Sequence, residues 1–123
     1  MFAPYIAEAS YEKESSTKES KSYQTMLTLT TDDISSGRYK IGWSFESNGS
    51  DKGNTECMVV LDGSEVMMDI NIEFKDKKNW IPNSGFKYEV ISEGVHTIEI
   101  KLKTDSKDTV SIRRARLDII KIS

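Results

Sequence analysis

At 123 residues the chain is of the size that closes around a single core. Only 37% of residues are apolar and 30% are charged, so that core has to be thin, as it is between two facing layers. A net charge of −3 argues against the basic footprint of nucleic-acid binding, a lone cysteine excludes an internal disulfide, and no run nears the ~18 apolar residues of a membrane span.

Residues 1–22 read as an N-terminal arm, and residues 23–123 as one β-sandwich domain. The arm opens with Phe2, Pro4, Tyr5 and Ile6 but continues as ASYEKESSTKESKS from Ala9 to Ser22, too polar to bury a face. It is either a loose terminus or a tether whose apolar head, Phe2 and Tyr5 foremost, docks on a neighbouring subunit. Met1 to Ser10 lacks the charged start and apolar length of an export signal.

From Tyr23 onward apolar residues recur every second position, the period of half-buried strands. Tyr23, Thr25, Leu27 and Leu29 share one face of the first. After a turn at Asp32 to Gly37, Tyr39, Ile41, Trp43 and Phe45 face inward while Arg38, Lys40, Ser44 and Glu46 face water. Asn48 to Asn54 is a polar loop, in which Asn48-Gly49-Ser50 reads as a turn rather than a glycosylation site. Cys57, Val59 and Leu61 then lead into Asp62-Gly63, a pair suited to a tight hairpin because glycine tolerates positive φ. The returning strand places Val66, Met68, Ile70, Ile72 and Phe74 on one face. A basic loop from Lys75 to Ser84 carries Trp80 and Pro82. Phe86, Tyr88 and Val90 define the next strand, and His96, Ile98, Ile100 and Leu102 the one after Glu93-Gly94. In the last strand Val110 and Ile112 hold one parity and Ala115, Leu117 and Ile119 the other, which requires a bulge near Arg113 and Arg114. Regular hairpins at this spacing define an all-β, two-sheet antiparallel sandwich of about eight strands.

Catalytic chemistry has little to work with. His96 is the sole histidine and reads as a strand-end residue bonded to a turn, not as a base beside a nucleophile. Cys57 reads as a small buried apolar group. One histidine and one distant cysteine exclude a zinc site made by this chain alone, and the loop aspartates Asp32, Asp33, Asp51, Asp62, Asp105 and Asp108 read as solvated turns rather than a calcium cage. No cofactor and no metal are expected. Two features suit binding. Trp80, with Ile81 and Pro82, is either an exposed platform for a sugar or protein partner or a cap on the sandwich. Arg113, Arg114 and Arg116 either pair across strands or form a subunit interface.

Three stretches, GRYKIGWSFE (37–46), NSGFKYEVISEGVHTIEIKL (83–102) and SIRRARLDIIKIS (111–123), together resemble a group of small proteins encoded by tailed bacteriophages. The resemblance covers roughly residues 22–123. It implies a jelly-roll-like virion structural protein without enzymatic activity: a capsid decoration, head fibre or connector subunit that is assembled in the host cytoplasm and binds other virion proteins. Its edge strands lead us to expect a homo-oligomer, a trimer being one form. The alternative is a carbohydrate- or receptor-binding module of a phage tail that uses Trp80 and Tyr88.

Overall fold

The computed structural model describes residues 5–11, 15–17, 22–49, 53–74, 80–104 and 110–123. They form nine strands: β1 (Ile6–Tyr11), β2 (Ser15–Thr17), β3 (Gln24–Thr30), β4 (Gly37–Gly49), β5 (Gly53–Leu61), β6 (Glu65–Phe74), β7 (Ile81–Ile91), β8 (Thr97–Thr104) and β9 (Val110–Lys121). One sheet runs β1-β9-β4-β7, with β2 also on β9, and the other runs β3-β8-β5-β6. β1 and β2 lie end to end along β9, against residues 115–120 and 110–112, and so share one edge position. That leaves eight positions in two layers.

The pairing follows one long antiparallel hairpin: β1 with β9, β3 with β8, β4 with β7, and β5 with β6. Rolling it up brings β9 beside β4 and β8 beside β5. This is the jelly roll, and the all-β sandwich expected from the alternation is the fold the chain adopts. Its core is built from Tyr39, Ile41, Trp43 and Phe45 of β4, Cys57, Val59 and Leu61 of β5, Ile98, Ile100 and Leu102 of β8, and Ile112, Ala115, Leu117 and Ile119 of β9.

Three expectations need correction. On β3 a register shift between Thr25 and Leu27 takes Thr25 off the face it was expected to share with Leu27 and Leu29, and Met26 packs against the core instead. The segment Ile6–Tyr11, read as part of a polar arm, is a sheet strand in which Ala7 and Ala9 pack against the core while Ile6 and Glu8 point to water. On β6, Val66 is exposed and Met67 joins Met68 against the core. The cause is a register shift opposite Val59 and Val60, which adds one residue to β6 and reverses its parity. On β7, Phe86, Tyr88 and Val90, for which the alternation left the side open, face outward. Their partners on β4 are Gly42, Lys40 and Arg38, all on its solvent side, because the inward neighbour of Trp43 has to be Gly85: a Cβ there would lie 2.9 Å from the indole Cζ2.

Candidate functional site

The outer face of the five-stranded sheet gathers most of the sequence-predicted binding residues. Its centre is the bulge on β9. Between Ser44 and Glu46 of β4 the partner on β9 moves from Arg116 to Arg113, so β9 carries one extra residue, and Arg114 takes φ 50°, in the left-handed region. The bulge predicted from the parity switch is therefore present at the two arginines named. It turns both guanidiniums onto one carboxylate. Arg113 Nε and Nη2 each lie 2.9 Å from Glu46 Oε1, and Arg114 Nη1 donates to Oε2 at 3.0 Å. Those two donors hold the Glu46 carboxyl below its ordinary pKa. Trp80 completes the cluster, with the Arg113 guanidinium 4.1 Å from its ring centroid.

Arg116 stands apart from this cluster. It bridges to Glu8 of β1 at 2.6 Å and approaches Asp118 at 3.6 Å, which clips β1 to β9. Further along the same face, Lys40 sits 4.5 Å over Phe86 and Arg38 5.0 Å over Tyr88, while the two rings meet edge to face at 5.5 Å. Val90, Ile120 and Ile6 extend this apolar strip across the sheet. The face thus has a charged end, where each of the three arginines has a carboxylate, and an aromatic end whose cations lie over rings.

Tyr5 serves its own fold. Its carbonyl accepts from the Lys121 amide at 3.0 Å and its hydroxyl accepts from the Asp32 amide at 3.0 Å. Phe2 lies outside the described residues. His96 occupies the strand-end position expected for it: Nε2 faces the Ser92 carbonyl at 2.7 Å and Nδ1 faces Asp62 Oδ2 at 2.7 Å. Burial opposes charge on this ring, yet the bonds to Asp62 and Ser92 outweigh it and hold the pKa above the ordinary histidine value. With both nitrogens facing acceptors, the imidazole is a latch between the β5–β6 turn and β8 rather than a free base. Cys57 is fully buried, and burial pushes its thiol up to about 12. Among the described residues no group of three or more histidine, cysteine, aspartate or glutamate side chains is placed to hold a metal.

Sequence reasoning missed Glu46 and Glu8, the acids that organise the arginines. Each alternates as an ordinary solvent-facing residue in its strand. A carboxylate on β4 level with an Arg-Arg bulge was the available signal for the first.

No family model matches the chain, and no curated protein matches it in sequence. Solved structures do match its fold. The VP2 subviral particle of infectious bursal disease virus is 12% identical over 96% of this chain, with a TM-score of 0.60. Murine APRIL is 9% identical, covers 98% of this chain and the whole of its own, and has a TM-score of 0.59. Dimeric latent PorU from Porphyromonas gingivalis is 10% identical over 98% of this chain, with a TM-score of 0.61. The chain spans 33% of the VP2 chain and 13% of the PorU chain. At these identities the likeness establishes the jelly roll and nothing beyond it.

Proposed function

We propose that this protein is a non-enzymatic structural subunit of a virus particle, and more narrowly a capsid decoration, head fibre or connector subunit of a tailed bacteriophage. The observation that carries the proposal is the complete jelly roll, the fold it shares with VP2 in a subviral particle. The resemblance of residues 22–123 to small tailed-phage proteins supports the narrower reading. The outer face of the five-stranded sheet is the docking surface. Exposed Phe86, Tyr88 and Val90 give it apolar area, and Arg113, Arg114 and Arg116 give it guanidiniums that can exchange their internal carboxylates for those of a neighbouring subunit. Copies of the chain associate with one another, a trimer being one closed form.

The carbohydrate-binding alternative draws less support. A sugar stacks on an open aromatic ring, and the half-buried Trp80 already carries Arg113 on its face.

Quantitative peptide mass spectrometry on purified virions of the source phage tests the proposal. Hundreds of copies per particle are expected for a decoration protein, and a handful to a few dozen for a connector or fibre. Absence from the virion overturns it.

A further inference from the structure

β7 ends the five-stranded sheet, and no described strand lies beyond it. It is 11 residues long, and its outward side chains Phe86, Tyr88 and Val90 are 55%, 45% and 83% exposed. Natural edges of this length are guarded by charged side chains, inward-pointing ones included, by proline or by a bulge. Here Pro82 stands at the strand's start and Lys87 and Glu89 set charge on the inner side, so an edge partner has to match those two charges. Among the described residues no strand pairs with the outer backbone groups of β7, which are flanked by aromatic and aliphatic surface.

We infer that the occupant of this edge is β7 of a second copy, paired antiparallel about a two-fold axis through Tyr88. Pairing that keeps the outer faces continuous matches residues of the same parity, so the axis passes through Phe86, Lys87, Tyr88 or Glu89. An axis at Lys87 or Glu89 sets like charges directly opposite each other, which disfavours both. An axis at Phe86 sets Val90 opposite Pro82. The axis at Tyr88 sets Lys87 opposite Glu89 of the partner, and Glu89 opposite Lys87, on the inner side. On the outer side it sets Phe86 against Val90 and Tyr88 against its own copy.

The monomer is prepared for this register. Lys87 and Glu89 already form a 2.9 Å ion pair along the strand, so dimerisation turns one pair into a closed square of four alternating charges. Arg38 and Lys40, stacked over Tyr88 and Phe86, keep the aromatic strip rigid and aligned with the strand. The paired segment runs from Gly85 to Ile91, about 23 Å of strand. An interface of that extent suits a weak dimer, with a Kd on the order of 10–100 µM. This contact does not depend on a virion origin; a particle shell can use two-fold and three-fold contacts together.

Sedimentation equilibrium from 5 to 500 µM, with folding of every variant followed by circular dichroism, tests the association. Lys87→Glu is expected to weaken dimerisation by at least about tenfold, and the exchange Lys87→Glu with Glu89→Lys to restore it. Register is read separately by cysteine pairing under oxidised glutathione, since Cys57 is buried. Tyr88→Cys is expected to give a disulfide dimer, because directly opposed residues bring their Cβ atoms within bridging reach. Val90→Cys, which faces Phe86, is expected to give none. A chain that stays monomeric at 500 µM, a Lys87→Glu dimer as tight as the original, or equal cross-linking at positions 88 and 90 overturns the inference.

Discussion

Gly85→Ala is the smallest change that tests how the edge strand β7 is fitted against β4 in the large sheet. A Cβ at position 85 would lie 2.9 Å from Cζ2, 3.0 Å from Cε2 and 3.1 Å from Nε1 of Trp43. Carbon contacts are comfortable at about 3.5–4.0 Å, so the indole has to retreat by roughly 0.5–1 Å. It has nowhere to go: Trp43 is 7% exposed, within the core cluster that includes Tyr39, Ile41, Phe45 and Leu117. Overpacking of this kind costs about 1–3 kcal/mol, which for a domain of this size lowers the melting temperature by roughly 4–12 °C. Thermal unfolding followed by circular dichroism measures it. The nearest of the three atoms, Cζ2, belongs to the benzo ring that phenylalanine lacks. Trp43→Phe alone leaves a void and is also destabilising, but the double variant fills that void, so its loss is expected to be smaller than the sum of the single losses. A Gly85→Ala protein within about 0.5 kcal/mol of the original, or strictly additive losses, refutes the account.

Stability is also expected to depend on pH through His96. Its folded pKa is raised, so its contribution is complete below the unfolded value of about 6.5 and is lost as pH rises through the folded pKa. The difference in melting temperature between the original protein and His96→Gln should therefore shrink from pH 5.5 to pH 9; a constant difference contradicts the latch. Arg114→Gly should unfold no earlier than the original, because relief of a left-handed arginine, about 1–2 kcal/mol, offsets the loss of a surface pair to Glu46. Destabilisation by more than about 1 kcal/mol would show that the Glu46 pairing dominates. Removal of residues 1–11 deletes β1 and uncovers β9. It should lower the melting point by at least about 10 °C, whereas an unchanged melt would make the segment dispensable and return it to the role of an arm.

The alternation of Tyr39, Ile41, Trp43 and Phe45 and the Asp62-Gly63 hairpin were legible because central strands put apolar side chains on one side only. The bulge was legible because parity cannot change within a strand without an extra residue. β7 was legible as a strand but not in its orientation. Period two separates two faces without saying which is inner, and here packing chose the side with Gly85, leaving Phe86, Tyr88 and Val90 to water. β6 misled because its bulge near Met67 replaces one apolar residue by another and leaves no compositional trace. β1 was hidden because its inward residues are Ala7 and Ala9, too small to stand out in a polar stretch. At the candidate site the arginines were visible as a cluster, whereas Glu46 depended on a pairing between strands 67 residues apart.

The nested pairing of first strand with last also sets how the molecule comes into being. Only the β5–β6 hairpin closes locally; every later pair spans a longer loop, and β4 gains its second neighbour when the final dozen residues arrive. Such a chain has a high relative contact order, so refolding is expected in milliseconds to seconds rather than microseconds. During synthesis the nascent chain must wait with half-built layers, and the large sheet closes only once β9 is available to pair with β4.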